Sequence, residues 1–219
     1  MTSRTAARPA PPQLSAPLTA RRLSEVDFGR HVQACTVGGE AEELQLDDVE
    51  VSGSLLSGLR LIGGRLTRCQ FTDVQITDSD LAGVDVPDCR WQRVAVQSSR
   101  LAGVSLAGGM LVDTVLDDVR AGRLDLRFAT LRKTRFRGCD LTAADFTGAT
   151  LDGVVFEDCR LHEARFAQLV VKGAAFTGCD ASAAAGVDAL RNARVDEFTL
   201  TSLAGSMAAA LGLRLEADR

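Results

Sequence analysis

The sequence predicts an all-β solenoid in which four five-residue units close each turn, and three observations carry that reading. Every fifth residue from Leu46 to Ala181 is apolar, for 28 consecutive positions without a slip of phase. The residue two before each of these, from Leu44 to Cys179, is never charged and is mostly small. Like residues then recur at 20: Cys69 with Cys89; Cys139, Cys159 and Cys179; Phe136, Phe156 and Phe176; Phe146 and Phe166; Phe71 with Trp91. A period of five fits neither a helix nor a lone strand, so it marks a repeat architecture.

Each unit has one large inward residue, one small inward residue two positions earlier, and three outward residues. Side chains two apart share a face of extended chain, so both apolar positions can point to one interior. The residue two after the centre must turn the corner. Gly and Asp crowd there, as at Gly53, Asp73, Asp78, Asp118 and Gly148, and both are turn formers. The period of 20 means that four units close one turn and that equivalent residues stack into ladders. The expected core includes Leu81, Trp91, Leu101, Leu106, Phe136, Leu141, Phe146, Phe156, Phe166 and Phe176. An antiparallel sandwich with Gly-Asp turns would give alternating segments too, but it has no reason to hold one five-residue phase through every turn.

The units Cys139-Asp140-Leu141, Ala144-Asp145-Phe146, Ser79-Asp80-Leu81 and Ala164-Arg165-Phe166 resemble those of the pentapeptide-repeat family, and the resemblance covers about two-thirds of the chain. It implies a right-handed quadrilateral parallel β-helix, here of about seven coils over residues 44–183. At roughly 4.8 Å per stacked strand the shaft would be about 34 Å long.

Outside the repeat, residues 1–20 hold Pro9, Pro11, Pro12 and Pro17 and read as a disordered Pro-rich tail. Residues 21–43 read as an N-terminal cap, with Val26, Phe28, Val32 and Cys35 as a strand or short cover, because an open coil end exposes unpaired backbone. Residues 184–219 read as a C-terminal cap. Leu190 and Val195 add a partial coil, and Asp196 caps a helix over about 197–211 that ends at Gly212. Leu213, Arg214, Leu215 and Glu216 suit a short terminal strand. Leu200, Leu203, Met207 and Leu211 share one helix face, to seal the last coil or to make a dimer contact. The resemblance supports both roles, since some family members dimerise through a C-terminal helix.

The net charge of −4 is mild, and no apolar run is long enough to span a membrane. Arg outnumbers Lys 23 to 2, the bias of a GC-rich bacterial genome. The N-terminus lacks a continuous apolar signal core. Five of the six Cys occupy the small inward position, so free thiols and a reducing cytoplasm are expected. No Cys/His cluster has zinc spacing, and no phosphate-binding, dinucleotide or nucleophile-elbow motif is present. His31 and His162 read as surface groups. Asp117 with Asp118, and Glu157 with Asp158, read as neighbouring corner residues. No enzyme activity, cofactor or metal is expected.

What remains is a non-enzymatic interaction or scaffold protein for a macromolecular partner, protein ahead of nucleic acid, with a homodimer through the helix as one assembly. The resemblance offers an alternative, since some bacterial members mimic DNA, bind type II topoisomerase (gyrase) and protect it from quinolones. That requires a strongly negative rod, whereas residues 44–183 carry 19 acidic and 16 basic residues. A basic belt over 120–137, with Arg127, Arg132, Lys133, Arg135 and Arg137 as candidate partner residues, offers a third reading: an acidic partner or nucleic acid, with Phe128 as the outward aromatic. The outward column Arg60, Asp80, Arg100, Arg120, Asp140, Arg160, Asp180 reads as a ladder of surface ion pairs, each worth little.

Overall fold

The computed structural model describes residues 8–26, 29 and 31–213. The chain winds as a parallel β-solenoid. The early strands are β1 (Thr19–Arg22), β2 (His31–Gln33), β3 (Cys35–Asp47), β4 (Glu50–Thr67), β5 (Gln70–Thr77) and β6 (Arg90–Gln97). Shorter ones follow: β7 (Met110–Val112), β8 (Val115–Asp117), β9 (Thr130–Arg132) and β10 (Arg135–Arg137). β11 (Thr150–Glu157), β12 (Val170–Thr177), β13 (Arg194–Val195) and helix α1 (Glu197–Ala210) complete the order. Pairing is parallel throughout and at an offset of 20 over most of the shaft, as in Phe71 with Trp91, Trp91 with Leu111 and Phe136 with Phe156.

The local reason for the square section is the corner. Every residue two after a centre, from Asp48 to Ala183 except Gly173, has positive φ. One left-handed residue in five bends the chain, and Gly and Asp accept that conformation most readily. Adjacent coils bond through the backbone, as from Leu101 N to Arg120 O (2.8 Å) and from Arg120 N to Ser99 O (3.0 Å).

The small inward position has a more specific role than filling space. Several of its amides donate to a side chain one coil further on: Leu59 N to Ser79 Oγ, Ser79 N to Ser99 Oγ and Cys69 N to Cys89 Sγ, each at 3.1 Å. The hydroxyl or thiol then donates to the carbonyl two residues back, as from Ser79 to Thr77 (2.7 Å) and from Cys179 to Thr177 (3.4 Å). Ser, Thr and Cys therefore recur in the lumen because they satisfy backbone groups that would otherwise be buried unpaired.

Of the ten expected core residues, nine are buried, and Phe136, Leu141, Phe146, Phe156 and Phe166 are wholly inaccessible. Leu81 is the correction: it packs against the core but is only partly buried. It lines an apolar void of about 60 Å³ in the N-terminal half, where Val and Leu leave space that the Phe ladders fill further on. Trp91, whose indole N–H is buried without a partner, lines the same void.

All six cysteines are free and buried. Hydrogen bonding with the Cys139 and Cys179 thiols, reinforced by burial, raises the Cys159 pKa and holds that thiol protonated. A thiolate in this lumen has no water, so the native protein is expected to leave a disulfide reagent such as DTNB unreacted, whereas six thiols react after denaturation. Prompt labelling of any native thiol would show that the coils open.

The ends depart from the sequence reading. The solenoid has about nine turns instead of seven. Residues 21–43 wind as coil: β1 pairs with β3, and β2 pairs with β4. The offset is 16 between β1 and β3 and 19 onto β4, as between Val32 and Val51 or Val37 and Leu56, and becomes 20 only at Gly39 and Leu59. One residue fewer at Gly38-Gly39 breaks the five-residue phase, which hid this coil. Of the residues expected to form the cap, Phe28 lies outside the described set. Residues 8–18, read as a disordered tail, instead lie along the shaft, with backbone bonds from Ser15 N to Gly53 O (3.1 Å) and from Thr19 N to Ala34 O (2.8 Å).

At the other end β13 pairs with β12, again at an offset of 19 (Phe176 with Val195), and supplies the partial coil. Helix α1 then satisfies amides of the last complete turn. Asp196 accepts from Gly178 N (2.8 Å) as well as from Thr199 N (2.9 Å). Thr199 Oγ1 accepts from Cys179 N (3.0 Å), and Ser202 Oγ from Ala181 N (3.0 Å). Thr199 thus continues the Cys139-Cys159-Cys179 ladder by one step of 20, from within a helix. Arg214, Leu215 and Glu216 lie outside the described residues. No helix among those described is long and apolar enough to cross a membrane.

Candidate interaction surface

With the lumen filled, the functional surface is the outside of the shaft. Its four faces are centred on the columns of Trp91, Phe136, Leu101 and Leu106. Among the described residues no cluster of metal-ligating groups occurs.

The basic belt does not form one patch. Residues 120–137 amount to about one coil, so their side chains go round the shaft. Arg127 lies on the Leu106 face, Arg132 on the Trp91 face, Lys133 at the next corner, and Arg135 and Arg137 on the Phe136 face, opposite Arg127. Three of the five are paired. Arg127 grips Asp125 with two bonds (2.9 and 2.8 Å), Arg137 binds Asp117 with two, and Arg135 lies 3.7 Å from Glu157. Of these five, Arg132 and Lys133 make no ion pair, and they lie side by side.

Opposite charges adjoin at many steps along the columns, with exceptions such as Arg100 beside Arg120 and Asp125 beside Asp145. Asp80 pairs with Arg100 (3.2 Å) and Glu40 with Arg60 (3.0 Å), so the expected ladder closes at some steps and extends one coil earlier. The best-formed pair is Asp73 with Arg93, two bonds of 2.6 Å with both side chains largely covered. Arg93, with a backbone amide from Gln13, holds the Asp73 carboxyl below its ordinary pKa; Arg137 does the same to Asp117. The Asp125 carboxyl is also low, because Arg127 outweighs the opposing burial.

These carboxylates bind protons more weakly folded than unfolded. Their stabilisation is therefore complete above the unfolded value of about 3.9 and drains away as pH falls through the lower folded values. The urea midpoint should stay level from neutral pH to about pH 4 and fall below it. Arg93→Ala should flatten part of that fall; an unchanged acid limb would mean that Asp73 contributes nothing.

A second surface escaped the sequence reading. On the Trp91 face, Met110, Thr130, Thr150 and Val170 stack in register as an uncharged strip. Phe128 stands at its edge, 65% exposed and at φ +59°. Its ring occupies the space a side chain at Gly148 would need, 2.6 Å from where a Cβ would sit. A bulky residue in the left-handed region is uncommon and strained. Val170 is 46% exposed, and Arg132 borders the strip. Reading the outward positions at period 20 reveals this strip; reading along the chain does not.

The helix residues split. Leu203 is buried against the last coil and Met207 packs beside it, whereas Leu200 (48%) and Leu211 (77%) are exposed. Phe198 and Leu213 are exposed as well. The expected single face therefore straddles the edge between core and solvent.

A closed, filled β-solenoid with its chemistry confined to the outer faces is the class that this geometry defines. Residues 89–166 match the family model described as a pentapeptide repeat region. Among solved structures it is similar to a trypsin-treated variant of QnrB1, described as a plasmid-mediated fluoroquinolone resistance protein. The identity is 15%, covering 82% of this chain and 100% of that one, with a TM-score of 0.37. It is also similar to HetL from the cyanobacterium Nostoc sp. strain PCC 7120, a pentapeptide repeat protein involved in heterocyst differentiation regulation (19% identity, 70% and 87% covered, TM-score 0.32). Rfr23 from the cyanobacterium Cyanothece 51142 is a third (16% identity, 73% and 88% covered, TM-score 0.20). No curated protein matches the chain.

Proposed function

We propose that this is a non-enzymatic, cytoplasmic interaction protein that binds a protein partner through the Trp91 face. The observation that carries this reading is Phe128: a phenyl ring held in solvent, at a strained corner, beside an uncharged strip and the unpaired Arg132. Exposed aromatic and Arg side chains are the usual anchors of protein interfaces.

Phe128→Gly gives the corner its preferred residue. It should leave the melting temperature level or raise it, while capture of the partner by the immobilised chain falls, as it should with Arg132→Ala. A partner retained equally by all three chains would place the interface elsewhere.

The near-balance of 19 acidic and 16 basic residues over 44–183 disfavours the topoisomerase alternative, since a DNA mimic needs a strongly acidic surface. Supercoiling by purified gyrase should be unaffected at micromolar concentrations of this protein; inhibition would reinstate that reading. The dispersed belt likewise disfavours nucleic acid or another acidic partner, and a binding titration against salt should be flat.

Homodimerisation through α1 is supported by its exposed Phe198, Leu200 and Leu211. Sedimentation velocity should give a dimer that Leu200→Glu with Leu211→Glu converts to monomer.

A further inference from the structure

Residues 8–18 follow one corner of the shaft, the column Gly53, Asp73, Arg93, Asp113. Ser15 N–H donates to Gly53 O (3.1 Å), Gln13 N–H to Asp73 Oδ1 (2.9 Å) and Ala10 N–H to Asp113 Oδ1 (3.2 Å). From Ala10 to Gln13 a polyproline II chain advances about 9.3 Å. Two coils of the shaft, from Asp73 to Asp113, span about 9.6 Å. The two periods match.

Polyproline II has three residues per turn, so Pro9, Pro12 and Ser15 share a side. Those residues are partly covered, whereas Ala10, Pro11, Gln13, Ala16 and Pro17 are exposed. Pro11 and Pro12, which carry no amide N–H to satisfy, fall between the two donors. Gly53 makes room at the lower end: a Cβ there would lie 2.2 Å from Ser15 Oγ. Carboxylates at two-coil spacing, a bare corner and a prolyl pair between two amides form a complementary set.

We propose that this column is a binding track for an extended x-Pro-Pro-x segment of a partner protein, and that residues 8–18 occupy it as an intramolecular stand-in. Nothing in the contacts requires the covalent link: they are main-chain donors on acceptors fixed at the coil spacing. A partner segment with the same donor spacing takes the same pose by displacing the strap. The proposal rests on the reading of the shaft as an interaction surface, but uses a different corner from Phe128 and is tested separately.

The test keeps the full chain and loosens the strap with Pro9→Gly, Pro11→Gly and Pro12→Gly together. A fluorescein-labelled peptide with the sequence of residues 8–18 is titrated by anisotropy. It should bind the loosened chain at least about tenfold more tightly than the wild type, whose track is occupied. Adding Asp113→Ala should abolish that gain. The corner tolerates the change, since Ala143 and Ala183 hold the same conformation.

Hydrogen exchange supplies the second readout. Segment 8–18 should exchange about tenfold faster in Gly53→Asn and in Asp113→Ala than in the wild type, with the shaft unchanged. A strap that is protected, but a peptide that never binds the loosened chain, would overturn the track and leave a fixed cover. Equal peptide binding with and without Asp113 would overturn the assigned contacts. Exchange that is fast in the wild type would overturn the docked strap itself. None of these outcomes bears on Phe128, whose own test decides the partner face.

Discussion

Leu106→Asp is expected to cost at least about 5 kcal/mol and to part the solenoid at its middle. Leu106 is 1% exposed, and its own backbone is committed: its amide donates to Asp125 O at 2.7 Å, and its carbonyl accepts from Gly109 N at 3.1 Å. Truncation to Ala alone removes packing worth about 2–5 kcal/mol. A carboxylate adds an unpaired charge to a lumen of aliphatic and phenyl groups, and the penalty for an uncompensated buried charge is about 3–5 kcal/mol. The group escapes only by protonation, for which the folded state must raise its pKa, or by unfolding.

Because each coil touches only its neighbours, the damage need not spread evenly. Hydrogen exchange should rise most in residues 86–126, while the Phe ladders beyond Phe136 keep their protection. Urea denaturation should lose its single transition. A variant within about 2 kcal/mol of the wild type, with one transition, would mean that water reaches the lumen at this coil and that the core is not closed.

The same nearest-neighbour logic explains what could be read from the sequence. The shaft was legible because each large inward residue sits at a fixed step from the next. One missing residue at Gly38-Gly39 was enough to hide the first coils, since Val32 and Val37 fall out of phase with Ala41 and Leu46. The basic belt failed for the opposite reason: residues adjacent in sequence are dispersed around a turn of 20, and residues 20 apart are neighbours. The strip from Met110 to Val170 is contiguous in space and scattered in sequence. The strap was illegible because its composition suits a disordered tail and its contacts are backbone amides, which leave no side-chain pattern. The N-terminal role of α1 was half legible: Asp196 reads as a cap, but its bond to Gly178 N and that of Thr199 to Cys179 N depend on the end of the coil below.

Phe156→Ala is the second large effect, expected at about 3–5 kcal/mol. The ring lies between those of Phe136 and Phe176, at centroid distances of 4.9 and 4.6 Å and nearly parallel to both. It also meets the edge of Phe146 at 5.7 Å. Those stacking distances equal the strand spacing of about 4.7–4.9 Å, so the coil sets the separation and the rings conform to it. Each aromatic pair adds about 0.5–1.5 kcal/mol beyond burial, and Ala loses three such contacts together with the ring volume. Phe156→Leu separates the two contributions, because Leu restores most of the volume and none of the stacking. It should cost less than half as much as Ala in urea unfolding, and the remainder measures the rings. If Leu and Ala cost the same, the column would be held by ring contacts and not by filled volume; if Leu cost nothing, stacking at coil spacing would add no stability, and the recurrence of Phe at intervals of 20 would need another cause.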